Sequence, residues 1–171
     1  SGGTSWRIGI ALKLAQEDRY ESRALLREAV ESAEAWVQEE PAALWPSALG
    51  IGLLGLADGE LGELESSMER ARDSLRGFEV LVAATPGDEF EALSLLLHMM
   101  YGLALLRNGA RTEAVGEFKG IEPRYARLAA TRPGVQIPEQ ALCDFYLGVC
   151  LGEVGHHVDA AVMLRRAVVA Q

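Results

Sequence analysis

The chain has 171 residues, 49% hydrophobic and 24% charged, the length and balance of one ordinary globular domain. Lys+Arg is 16 against 25 Asp+Glu, a formal net charge of −9, which repels phosphates and argues against direct nucleic-acid binding. No apolar run reaches the roughly 18 residues of a membrane span, and no basic start leads into an apolar stretch as a secretory signal would, so a cytoplasmic protein without membrane contact is expected.

In chain order, Ser1-Gly2-Gly3 reads as a linker, and the apolar period beyond it is helical throughout. No segment alternates apolar and polar residues as a half-buried strand would. Helices are predicted near 5–16, 19–40, 44–57, 60–84, 88–107, 110–130, 138–154 and 157–170. The second carries Leu26, Ala29, Val30, Ala33 and Val37 at steps of one to four. The third has Pro46 in its first turn, where a missing N–H costs little. The fourth carries Leu61, Leu64, Met68, Ala71, Leu75, Phe78 and Val82. The breaks fall at Glu17-Asp18, Pro41, Asp58-Gly59, Thr85-Pro86-Gly87-Asp88, Asn108-Gly109, Arg132-Pro133-Gly134 and Gly155. Pro and Gly stop helices there, and Asp, Asn and Thr cap the next ones. On the seventh helix Cys143 and Cys150 are separated by about 10.5 Å of rise, beyond the roughly 7 Å between Cα atoms that a disulfide tolerates. They read as small apolar fillers, and free thiols fit a reducing compartment.

An internal repeat runs through these helices. Gly52, Gly102 and Gly148 are each followed seven residues later by Gly59, Gly109 and Gly155. The first glycine of each pair sits mid-helix, where it costs about 1 kcal/mol relative to Ala, so close approach of a partner helix is expected there. The second is expected to close the helix. Beyond the closing glycines come Leu64, Ala114 and Ala160, then Met68, Phe118 and Leu164, then Ala71, Ile121 and Ala167.

This pattern resembles the tetratricopeptide repeat (TPR) family. The last hairpin carries the resemblance best, with Leu147-Gly148, Leu151, Gly155, Ala160, Leu164 and Ala167. Tyr101-Gly102, Leu105, Gly109, Ala114 and Phe118 carry it in the third. Ile51-Gly52, Gly59, Met68 and Ala71 do so in the second, with Leu64 at a small position. In the first, Ile8-Gly9 fits, and Ser22, Leu26 and Ala29 follow with one residue inserted. The resemblance implies an all-α fold, an α-solenoid of about four hairpins (5–40, 44–84, 88–130 and 138–170) in a single repeat domain. Ala29, Ala71, Ile121 and Ala167 lie 42, 50 and 46 residues apart, wider than the family's usual spacing. Long repeats of this style are similar to those in the sensor arms of LuxR-type ATP-dependent bacterial transcription regulators. Lys13 and Lys119 are the lysines among 16 basic residues, a composition that suggests a GC-rich bacterial genome, and a piece of a longer solenoid is expected.

The resemblance also implies a groove lined by the first helix of each hairpin. Mapped here it takes Trp6, Ile10, Lys13 and Leu14; Leu49, Leu53, Leu56 and Ala57; Leu96, Met99, Leu103, Leu106 and Arg107; and Leu142, Phe145, Val149 and Glu153. The apolar character of this set disfavours a carboxylate clamp and suits an amphipathic helix or an extended apolar segment of a protein or peptide partner. Burial of the same residues as ordinary core is the alternative. A further one is an effector pocket near Trp6, Trp45, Met99 and Phe145. Homodimerisation through apolar ends is compatible with the groove.

The remaining chemistry-bearing residues read as structural. His156-His157 with Glu153 and Asp159 are turn residues rather than metal ligands. His98 packs at a helix interface. Glu60, Glu63, Glu65, Glu69 and Asp73, mixed with Arg70, Arg72 and Arg76, form a solvated face, and Arg124, Arg127 and Arg132 beside Tyr125 form a solvated joint. GxxxxGKS/T, HExxH, GxSxG and GxGxxG are all absent, so no enzyme, cofactor or metal is expected.

Overall fold

The structure, a computed structural model, describes residues 18–37, 44–84, 88–131 and 138–169. The predicted helix 5–16, with Trp6, lies outside them. Seven helices and no strand occur among the described residues. They are α1 (Arg19–Val37), α2 (Leu44–Glu60), α3 (Leu64–Ala84), α4 (Asp88–Arg107), α5 (Arg111–Thr131), α6 (Pro138–Glu153) and α7 (His157–Val169).

The chain forms two compact units, Ser1–Thr85 and Pro86–Gln171. In the first, α2 packs against both α1 and α3, around Leu26, Ala29, Val30 and Leu54. In the second, α4 packs on α5, α5 on α6 and α6 on α7, and α4 also touches α6. The first helices of these two hairpins are therefore neighbours, as stacked repeats require.

Local chemistry sets the helix ends. Asp18 caps α1: its Oδ1 accepts the N–H of Tyr20 at 2.9 Å and of Glu21 at 3.0 Å, satisfying donors that the first turn leaves orphaned. Three helices end alike. Glu63 N–H reaches Asp58 C=O at 2.9 Å, Ala110 reaches Leu105 at 2.9 Å and His156 reaches Leu151 at 2.8 Å. The residue between is a left-handed glycine each time: Gly62 at φ 84°, Gly109 at 77° and Gly155 at 89°. This is the six-to-one bond of a Schellman cap.

The caps correct the sequence reading of the second hairpin. Gly59, expected to close the helix, lies inside α2, and Gly62 closes it three residues later. The close-approach glycine moves with it, to Gly55. A β-carbon there would stand 3.1 Å from Arg70 Cβ and 3.1 Å from the Ser67 carbonyl oxygen. At Gly102 it would stand 2.7 Å from the Phe118 ring, and at Gly148 2.7 Å from Leu164 Cγ. In this register the repeat positions on α3 fall on Ser67, Ala71 and Ser74, all buried, rather than on Leu64, Met68 and Ala71. The uneven repeat lengths become nearly even: Gly62, Gly109 and Gly155 are 47 and 46 residues apart.

Candidate functional site

The corrected register makes Asp58 equivalent to Leu105 and Leu151. Those leucines are buried core, and Asp58 is equally buried at 0% exposure. A carboxylate removed from water needs partners, and the two neighbouring helices supply them. From α3, Arg70 Nε donates to Asp58 Oδ2 at 2.7 Å, and Ser66 Oγ donates to the same oxygen at 2.8 Å. From α1, Arg23 Nη1 stands 3.5 Å from Oδ1 and is also paired with Glu63. The hydrogen bond to Glu63 leads in holding the Arg23 guanidinium more firmly protonated than usual. The node ties α1 to the α2–α3 hairpin. Sequence reading placed Asp58 at a helix break, and the signal that finds it is the charge in a column of leucines, visible only in the right register.

In the second unit two polar clasps join α4 to α5. Arg124 grips Glu91 with two bonds of 2.9 Å and reaches Ser94 Oγ at 3.2 Å. The arginine's hydrogen bonds hold the Glu91 carboxyl below its ordinary range, against the opposing effect of burial. Arg124 is therefore half-buried structure rather than part of a solvated joint, while Arg127 is exposed. His98 Nδ1 is hydrogen-bonded to Glu117, which bears out the helix-interface reading. Arg166 of α7 reaches Glu122 of α5 at 2.6 Å and stands 3.4 Å from Asp144 of α6. Asp144 is 3% exposed. Burial pushes its carboxyl above the ordinary range, with Arg166 opposing.

Both cysteines are fully buried. Burial pushes the Cys143 thiol up to about 12 and the Cys150 thiol up to about 11, values at which neither is a nucleophile near neutrality. Cys143 Sγ donates to the Phe118 carbonyl across 3.8 Å. His156 and His157 are exposed at the turn into α7. Among the described residues no group of three or more His, Cys, Asp or Glu is placed to hold a metal ion, and no helix is long and apolar enough to cross a membrane.

The sequence-predicted groove residues divide. On α2, Leu49, Leu53 and Leu56 are half-buried. On α4, Leu103 and Leu106 are half-buried and Arg107 is exposed, but Met99 is 2% exposed and belongs to the core. Here α4 is packed by both α5 and α6. On α6, Val149 is half-buried, and Phe145, the equivalent of Met99, is 45% exposed. Its ring stands edge-on to Tyr146, with centroids 5.3 Å apart, and Leu142 beside it is 42% exposed. The structure thus brings together Leu142, Phe145 and Val149 as one apolar stripe on α6. It does not gather Trp6, Trp45, Met99 and Phe145 into a described pocket: Trp6 and the Trp45 side chain lie outside the described residues, and Met99 is core.

No protein-family model and no curated protein matches the chain. Solved structures do. The chain is similar to the nearly identical TPR-like repeats of a Podosopora anserina protein assigned as a kinesin light chain. The TM-score is 0.57 at 16% identity, over 98% of this chain and 94% of that one. A single-substitution variant of that protein gives the same score and identity over 98% and 93%. At this identity the likeness shows the fold, an all-α array of TPR-like hairpins.

Proposed function

We propose that this chain is a non-catalytic interaction module that binds a protein or peptide through apolar residues on the first helices of its hairpins. The observation that carries this reading is Phe145. Its equivalent, Met99, is sealed at 2% exposure, yet Phe145 is 45% exposed beside an exposed Leu142. Aromatic side chains held against a neighbour and open to solvent make effective interface anchors. Val149 extends the stripe along α6, while Leu103, Leu106 and Arg107 provide apolar and cationic positions on α4. An amphipathic helix or extended apolar segment suits such a surface.

A photo-reactive residue at position 145, cross-linked in the native host and read by mass spectrometry, identifies the partner. Phe145→Asp should then abolish binding of that partner while far-UV helicity is retained. If Phe145→Asp unfolds the chain, the residue is core and the reading fails.

We also propose that the module belongs to a bacterial regulator, in the manner of the sensor arms of LuxR-type ATP-dependent activators. The long repeat of 46 to 47 residues supports this. A gene product with a nucleotide-binding domain before this segment, or a helix-turn-helix after it, would establish the context.

A further inference from the structure

The two units repeat one seam, between the second helix of a hairpin and the first helix of the next: α1 on α2, and α5 on α6. The repeat register makes Leu26 of α1 equivalent to Phe118 of α5. Two residues before the close-approach glycines Gly55 and Gly148, Leu53 of α2 is equivalent to Tyr146 of α6. In the α5–α6 seam the two rings stack, with centroids 6.0 Å apart and 16° between planes, and Phe118 is fully buried. In the α1–α2 seam leucines stand in both places, and a cavity of about 150 Å³ opens there. Leu26, Leu53, Leu56 and Ala57 line it. Ala57 is half-exposed, whereas Cys150, its equivalent in the filled seam, is fully buried. Arg19, Glu60 and the buried Ser22 complete the lining, with Arg19 Nε 3.6 Å from Glu60 Oε2.

We propose that the α1–α2 seam is a binding site for a benzene-sized aromatic group. The ring enters between Leu26 and Leu53, and a polar substituent remains at the Arg19–Glu60 rim. The seam lacks the ring pair that fills its counterpart, so an incoming ring restores the missing apolar contacts. A cleft of about 150 Å³ matches in volume a cavity that holds one benzene molecule. The charged pair gives a substituted ring a cation and an anion to address, so the site favours an aromatic with one polar end over a plain aliphatic chain. The proposal is independent of the Phe145 surface.

Thermal unfolding of the full chain with benzene in a sealed cell tests it. The expected result is a saturable rise in Tm of roughly 2–4 °C, with methyl NMR shifts concentrated at Leu26, Leu53 and Leu56. Leu26→Phe and Leu53→Tyr, which import the residues of the other seam, should abolish the benzene response. If either variant fails to fold, the methyl titration of the native chain decides alone. Saturable shifts confined to the three leucines uphold the site, and absent or unsaturable shifts overturn it. A benzene response that persists undiminished in folded Leu26→Phe also overturns it. N-acetyl-phenylalanine amide distinguishes the source of the ring. Displacement of bound benzene identifies a partner's phenylalanine side chain, and benzene binding without displacement identifies a free small aromatic; both uphold the site.

Discussion

Replacing Gly62 by alanine tests the register of the first unit directly. Gly62 has φ 84°, and a β-carbon on it would meet nothing within 4 Å. Packing therefore contributes nothing to the substitution, and the backbone decides the sign. Left-handed conformation costs an L-residue about 1–2 kcal/mol, and the reduced freedom of the unfolded chain offsets about 0.4–1 kcal/mol of that. The net loss is of order 1 kcal/mol, a fall in Tm of roughly 2–4 °C for a chain of this size. Asparagine tolerates the left-handed region better than alanine, so Gly62→Asn should lose less. Urea unfolding followed by far-UV circular dichroism measures both variants against the parent. A Gly62→Ala protein as stable as the parent would refute the reasoning, because a glycine that does not close the helix has no need of a positive φ.

Three further substitutions test the same structure. Gly116 has open space around a β-carbon, so Gly116→Ala should stabilise α5 by up to about 1 kcal/mol. Gly148→Ala would place its β-carbon 2.7 Å from Leu164 Cγ and 3.1 Å from the Leu164 backbone nitrogen. Overpacking of about 1–3 kcal/mol outweighs the helix gain there, and opposite signs in parallel urea titrations check the pair. Glu91 is depressed by Arg124, so the folded state binds its proton less readily than the unfolded state does. Its contribution is full above the ordinary carboxylate range and is lost as pH falls through its lowered value. Glu91→Gln should therefore be less stable than the parent at neutral pH, with the gap closing in acid. A gap that stays constant with pH would show that the charge pair is not its source.

The cleft in the first unit and the apolar stripe in the second differ in how far the sequence announces them. Leu142, Phe145 and Val149 were legible as an apolar stripe, because helical spacing alone puts them on one side of α6. Their exposure was not, since Met99 carries the same pattern and is buried. The α1–α2 cavity was invisible in sequence: Leu26 and Leu53 look like ordinary core until they are compared with Phe118 and Tyr146. That comparison depends on the register, which the glycine-rich stretch of α2 disguised. Gly52 and Gly59 stand seven apart, and so do Gly55 and Gly62. The run of small buried residues Ser67, Ala71 and Ser74 was the available signal for the second pair.

Composition and periodicity by themselves determined that the chain is helical and hairpin-based. They also placed most breaks, because helix period, proline and cap chemistry act within a few residues of one another. Tertiary structure alone decided which glycine of α2 meets its neighbouring helix, where Asp58 finds its cations, and which apolar residues remain open. Each of these depends on the separation between packed helices, and a glycine whose β-carbon would stand 3.1 Å from a neighbour's backbone, or a missing ring, is a property of the pair and not of either segment alone.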